Sequence, residues 1–225
     1  MKNFIAKMGA ILLALGTVMA LSGCGEDSGT SSEVENETSP NVNMGSMVDS
    51  RDGQAYKTVQ IGKQTWMAEN LNYQTSESMC YEDKPENCEK YGRLYDWNEA
   101  VTVCPEGWHL PNKEEFEDLV ILAGQKAGDI DKAGTVLKST TGWSDEDGRG
   151  SNGSDALGFG VLPAGRDYRI IGGFVFEPYY AVFWSSTDRD DYSVYTLYLS
   201  YYAELADVRP DPKPIGHSVR CVKNP

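Results

Sequence analysis

The chain has 225 residues, 40% of them hydrophobic, with 20 basic against 34 acidic side chains and a formal charge of −14. Once its ends are set aside, that length suits one domain with a sizeable core. The acidic excess argues against nucleic acid and anionic membrane surfaces as partners.

Lys2 and Lys7 precede an apolar run from Met8 to Leu21, broken only by glycine and Thr17. This is a signal-peptide core, too short to span a bilayer comfortably. It ends in Leu21-Ser22-Gly23-Cys24, which resembles a bacterial lipobox. That resemblance implies a leader over residues 1–23, cleavage before Cys24, and acylation of Cys24 (palmitate among the chains) as a near-permanent membrane anchor. Gly25 stands where an aspartate would signal inner-membrane retention, so an outer-membrane lipoprotein is expected. Gly25-Glu26-Asp27 also resembles surface-export signals, which leaves periplasmic and cell-surface faces both open. Loss of Lys2 and Lys7 takes the formal charge from −14 to −16. From Ser28 to about Val48 the chain is mostly Ser, Thr, Asn, Glu and Gly, which cannot bury enough apolar surface to offset chain entropy. Residues 24–49 are expected to be the acylated cysteine and a flexible tether, and residues 50–225 the domain.

Tyr56–Ile61 roughly alternates polar and apolar before Gly62-Lys63, and Gln64–Met67 returns, so a hairpin opens the domain. Four cysteines follow, Cys80, Cys88, Cys104 and Cys221, and an even count in an exported chain points to two disulfides. Three pairings satisfy the count. Pro85 and polar turn residues in CYEDKPENC let Cys80 and Cys88 meet locally, which favours Cys80–Cys88 with Cys104–Cys221. Asp96 is a cap for a helix from Trp97 to Val103, stopped by Pro105. A second helix begins at Asn112, with Glu115 completing a capping box; Phe116, Leu119, Val120 and Ala123 form its buried stripe, and Gly124 is the expected terminator. A short amphipathic piece at Lys132–Leu137 leads into a Gly-rich acidic stretch, Ser144–Asp155. Strands are expected at Gly158–Leu162, Arg169–Phe176, Val182–Ser185, Val194–Tyr201 and Ser218–Val222. Two main helices followed by antiparallel strands make an α+β domain.

The motifs YKTVQIGKQTWMAENLNY, NCEKYGRLYDWNEAV, CPEGWHLPNKEEFEDL, TGWSDEDG, GFGVLPAGRD, FWSST and HSVRCV, taken in order, resemble the Fibrobacter succinogenes major paralogous domain over roughly residues 52 to 223. The resemblance implies an exported protein of fibre-digesting or related bacteria and brings no established activity. The arrangement also resembles, more distantly, the C-type-lectin fold shared with formylglycine-generating enzymes. In that likeness Cys104–Cys221 corresponds to the disulfide from a helix to the last strand.

The candidate sites follow from these motifs. A lectin-type calcium site resembles Glu-Pro-Asn followed by Trp-Asn-Asp; the nearest stretches here, Glu177-Pro178-Tyr179 and Trp184-Ser185-Ser186, lack the ligating amide and aspartate. Asp145, Asp147 and Asp155 are weak calcium candidates, without EF-hand spacing. His109 and His217, the only histidines, offer no three-ligand spacing, and no nucleophile elbow is present. His109, within CPEGWHLP, is expected to be structural. Sugar rings stack on exposed aromatic rings, and alternation along Val194–Tyr201 sends Tyr195, Leu197 and Leu199 to one face and Tyr198 with Tyr202 to the other. Tyr179, Tyr180, Tyr198 and Tyr202 are therefore the candidate ligand-binding residues. The expected function is a non-catalytic, lectin-like display module for plant polysaccharide or another extracellular ligand. The alternatives are a divergent enzyme of the formylglycine-generating fold and a structural component bound to an envelope protein.

Overall fold

The computed structural model describes residues 42–146, 148, 152–168 and 172–225. The leader, Cys24 and the tether as far as residue 41 lie outside these residues. The described chain begins with β1 (Met44–Val48), which pairs antiparallel with β2 (Ala55–Ile61), from Met44 opposite Val59 to Val48 opposite Ala55. This corrects the expected tether, which ran through residue 49. β1 is largely exposed and is held at a sheet edge by main-chain hydrogen bonds, an attachment that polar composition does not reveal. Asp49, fully buried and 2.6 Å from Arg51, closes the turn into β2. β2 and β3 (Gln64–Met67) form the predicted hairpin around Gly62-Lys63, with Gly62 in the left-handed region at φ 59.

The Cys80–Cys88 disulfide forms as expected, with Cα atoms 4.9 Å apart. The chain between is more than a turn, since a 3-10 turn at Tyr81–Asp83 runs into α1 (Pro85–Tyr91). Pro85 occupies the first helical position, where its missing N–H costs nothing, so the residue read as a turn marker starts a helix. After β4 (Leu94–Tyr95), Asp96 caps α2 (Trp97–Ala100) by accepting the Glu99 N–H at 2.9 Å. The helix stops short of Val103, which turns inward to join a core with Leu110, Trp184 and Val219. Cys104 follows and is bridged to Cys221, as expected, with Cα atoms 5.8 Å apart.

Beyond β5 (Trp108–His109), α3 (Lys113–Ala127) carries the predicted capping box in full: Asn112 accepts the Glu115 N–H and Glu115 accepts the Asn112 N–H, both at 2.8 Å. It does not end at Gly124. A Cβ there would stand 2.8 Å from Ile130, so this glycine serves a close approach, and the left-handed stop falls to Gly128 at φ 74. α4 (Ala133–Leu137) falls in the stretch where a short amphipathic piece was expected, but it is buried on nearly every side, with Ala133, Val136 and Leu137 in the core. The strand expected at Gly158–Leu162 is instead a loop with a single bridge, Val161 to Lys138, because Gly158 and Gly160 take φ of 70 and 59. β6 (Arg166–Tyr168) pairs with β7 (Gly173–Val175); the rest of the strand expected from Arg169 includes residues 169–171, which are outside those described.

β8 (Tyr180–Asp188) and β9 (Ser193–Ser200) form the long predicted antiparallel pair, and β10 (Ala206–Pro212) adds to β9. β10 holds Pro210 and Pro212 and was not anticipated; it lies on the sheet edge, where a missing donor is tolerated. The strand expected at Ser218–Val222 is divided into β11 (His217–Ser218) and β12 (Val222–Lys223). The two five-stranded sheets run β1-β2-β3-β12-β5 and β10-β9-β8-β11-β4. The fold is α+β with two disulfides. No helix among the described residues is long and apolar enough to cross a membrane.

Alternation along β8 and β9 places Ala181, Phe183, Leu197 and Leu199 in one core with α3 and the first sheet, where Trp66 stacks on Phe116 at 5.6 Å and meets Phe159 edge-on at 5.7 Å. Trp184 and Val194 point the other way, into the core that contains Val103. Lys138, at the end of α4, is 2% exposed; its ammonium donates to the Ala203 carbonyl at 2.7 Å and lies 4.8 Å from the Trp143 ring. Burial pushes its pKa down to about 8, against the opposing pull of Glu204.

Two measurements follow from this packing. On a chain-entropy estimate, replacing Cys104 and Cys221 by serine removes up to about 5 kcal/mol of stability and replacing Cys80 and Cys88 about 2.6 kcal/mol, so urea midpoints fall furthest for the long-range pair. Equal shifts would contradict the topology. Because the folded pKa of Lys138 lies below its unfolded value, the unfolded chain binds the extra proton between pH 8 and about 10.5, and stability rises with pH across that window. The urea midpoint of the native chain should rise from pH 8 to pH 10 relative to Lys138→Met; parallel curves would show that Lys138 is not the group responsible.

Candidate functional site

Past the Glu177-Pro178 turn, Tyr180 begins β8 opposite Ser200, and Val182 stands opposite Tyr198. Tyr180 and Tyr198 are therefore diagonal neighbours on the sheet face turned away from the α3 core, with ring centroids 5.4 Å apart. Phe176 meets Tyr180 edge-on at 4.9 Å, and Tyr202, just past β9, meets it edge-on at 6.3 Å. A second pair adjoins them, Tyr179 with Tyr201 at 5.2 Å, and Tyr201 packs against Tyr202 at 5.3 Å. The rim of this cluster is open: Tyr202 is 53% exposed and Phe176 46%, whereas Tyr198 forms the floor at 7%. Burial raises the Tyr198 pKa, and Arg209, whose guanidinium sits 3.3 Å from the ring centroid, pulls the other way.

All four candidate tyrosines thus lie in one surface, although Tyr179 belongs to its second pair and donates its hydroxyl hydrogen to Glu146. The sequence pattern did not indicate Phe176 or Arg209. Arg209 alternates with Asp207 and Asp211 along β10, but the two prolines of that strand hid the pattern. Phe176 takes a positive φ of 73 outside any strand, and no local signal marks it. Tyr192 is 81% exposed and makes none of these ring contacts, and Tyr195 faces Lys113 at 5.2 Å on the opposite side of β9.

The acidic loop has other work. Asp155 is half-buried and accepts the Gly160 N–H at 2.6 Å; burial raises its pKa, opposed by that hydrogen bond and by Arg220. The Asp145 carbonyl accepts the Gly148 N–H at 3.2 Å, and Asp147 lies outside the described residues. Among the described residues, no group of three or more His, Cys, Asp or Glu side chains is placed to hold a metal ion.

Both histidines are held inside the architecture. The His109 ring contacts Asn224 through Nδ1 at 2.7 Å and the Glu115 carboxylate through Nε2 at 3.0 Å. Glu115 also accepts from Gln64 at 3.0 Å, so one carboxylate joins the α3 cap, β3 and the chain end beyond β12. His217 is fully buried, 4.2 Å from the Trp184 ring and 3.2 Å from Asp211, which pairs with Arg166 at 3.0 Å. Burial lowers the His217 pKa against the pull of Asp211. Burial acts to raise Asp211, but His217 and the arginine charges outweigh it and lower its pKa. Glu177 accepts from the Tyr91 hydroxyl and lies 3.9 Å from Lys90. A cleft of about 430 Å3 is lined by Glu77, Asp96, Asn98, Asp167 and Lys213, but Asp96 is the α2 cap and Lys213 is paired with Asp188 at 2.6 Å.

A family model described as the Fibrobacter succinogenes major domain matches residues 59–223. No curated protein matches the chain. No solved structure matches it either.

The position of Glu115 leads to a stability test. Glu115→Ala removes one half of the capping box along with the contacts to Gln64 and His109, and should cost about 1–2 kcal/mol in urea unfolding. His109→Gln should cost less than about 1 kcal/mol, because the ring is partly solvated. A larger loss for His109→Gln than for Glu115→Ala would reverse this hierarchy.

Proposed function

The chain belongs to the Fibrobacter succinogenes major domain family, and from that membership and the aromatic surface we propose a cell-envelope lipoprotein whose folded part is a non-catalytic polysaccharide-binding module. Cys24 carries the acyl anchor at the outer membrane, the segment after it links anchor to domain, and β1 opens the displayed domain. The reading takes the domain to be lectin-like in architecture, with Cys104–Cys221 joining the segment after α2 to the closing strands.

The observation that supports it most directly is the open group of rings formed by Phe176, Tyr180 and Tyr202 over the floor of Tyr198. A sugar ring presents a face of C–H bonds that packs on an aromatic ring, while its hydroxyl edge remains in water. Large rings with half their area exposed supply such contact area at a low entropy cost, since each ring has only two side-chain torsions. A non-catalytic role is preferred because Glu115, Glu177, Asp155, Asp211 and His109 each have a partner within the fold, and His217 is fully buried away from the open surface. Calcium is not required by this mode of binding.

Retention of the intact protein on cellulose and on hemicelluloses, with calcium and with a chelator, tests the proposal. Binding is expected in both conditions, and the double variant Phe176→Ala/Tyr202→Ala should weaken it at least about tenfold, or ~1.4 kcal/mol. Absence of retention on every polymer in both conditions would remove the polysaccharide assignment.

A further inference from the structure

The strand β10 runs along the aromatic surface and carries Asp207, Arg209 and Asp211 on one face, because successive side chains alternate while Ala206 and Val208 pack against the α3 core. Asp211 is engaged by Arg166 at 3.0 Å and lies 3.2 Å from His217. Arg209 is different. Its guanidinium carbon lies 3.3 Å from the Tyr198 ring centroid, and among the described residues no carboxylate comes within ion-pair distance of it. Asp207 and Asp211 flank it on the same face, and its charge helps lower the Asp211 pKa, but neither carboxylate forms an ion pair with it. Among the described residues no hydrogen bond engages the N–H donors of this guanidinium. The five N–H donors lie in its plane, around its edge, in the fork that matches a carboxylate in two parallel hydrogen bonds.

We propose that this surface takes a polysaccharide containing uronic acid, with Arg209 holding the sugar carboxylate and the neighbouring rings holding the sugar faces. The proposal rests on the polysaccharide-binding reading above and specifies the class of polymer. Tyr198 adjoins Tyr180, which adjoins Phe176 and Tyr202, so the guanidinium and the exposed rings belong to one contiguous surface. The second arginine nearby, Arg166, lies 5.5 Å from the Phe176 ring but already serves Asp211, which leaves Arg209 as the carboxylate reader. The net negative charge of the chain opposes a polyanion at long range. At physiological salt the screening length is about 8 Å, so distant acids are largely silenced, whereas a contact pair over an aromatic floor is screened much less.

Polygalacturonate and its fully methyl-esterified form have the same backbone and differ in charge, so they isolate the carboxylate. In affinity electrophoresis of the intact protein at 0.15 M salt with a chelator present (about the 8 Å screening regime), retardation should be at least about tenfold stronger on the acid than on the ester. Arg209→Gln should bring the acid down to the level of the ester. Arg209→Lys, which retains the charge without the fork, should give an intermediate value. Phe176→Ala/Tyr202→Ala should weaken both polymers together. Equal retardation of the unaltered protein on acid and ester overturns the uronate assignment and leaves sugar binding standing. No retardation on these or on neutral polymers overturns both. The acid-to-ester ratio of the unaltered protein is decisive by itself, so the result does not depend on any variant folding.

Discussion

Between His217 and Lys223 the main chain leaves one sheet and enters the other. His217 and Ser218 pair with β4 and β8; four residues on, Val222 pairs with β3 and β5. Between them, Met67 and Leu71 donate their N–H groups to the carbonyls of Cys221 and Val219, and Cys221 is bridged to Cys104. At the crossing stands Arg220, 1% exposed, donating to Asn70 Oδ1 at 2.8 Å, to the Phe159 carbonyl and to the Gly160 carbonyl at 2.9 Å, with the Phe159 and Phe183 rings over its plane. Burial pulls its pKa down to about 9, so it remains a cation at neutral pH. Burying an ion costs several kcal/mol unless its donors are met. Here oxygens from the Asn70 side chain and the 159–160 loop meet them, and that requirement fixes the loop and the first sheet against the second. Asp155 extends the arrangement, since it holds the Gly160 N–H while Gly160 offers its carbonyl to Arg220.

The parts of this fold that could be read in advance are those with local causes. The β2–β3 hairpin follows from alternation and a Gly-Lys turn, α3 from Asn112 and Glu115 three apart, β9 from alternation, and the centre of β8 from the short apolar run at Val182–Ser185. What differs from the local reading depends on packing partners, near or far in sequence. Gly124 ends a helix by local rules, but here it admits Ile130; Gly158 and Gly160 lie in an apolar run but turn the chain so that a carbonyl reaches Arg220. HSVRCV alternates as one strand would, and nothing local says that the chain changes sheets at Arg220. The candidate surface divides the same way. Alternation separates Tyr198 from Leu197 and Leu199, while Phe176 and Arg209 reach it only through tertiary packing.

The second sheet serves two purposes because its faces are chemically distinct. One presents Ala181, Phe183, Leu197 and Leu199 to α3 and the first sheet; the other carries Trp184 and Val194 inward at one end and, at the other, Tyr180 beside the buried ring of Tyr198. The rings at the open end are thus mounted on strands whose reverse side is fully packed. Such a mounting keeps their mutual geometry fixed without a ligand, which lowers the ordering cost of any contact made there. His217, Asp211 and Arg166 occupy the middle of that face and tie β6, β10 and β11 together beneath it.

The crossing at Arg220 also bears on the order in which the molecule can be made. A polypeptide grows from its amino end, so β3, β5, β4 and β8 all exist before residues 217–223 leave the ribosome. Until then each lacks a neighbour, Cys104 lacks its sulfur partner, and the carbonyls of Phe159 and Gly160 lack their cation. Neither sheet can close early on its own, and contacts this remote in sequence slow folding. A chain interrupted before His217 would leave both sheets without the segment they share.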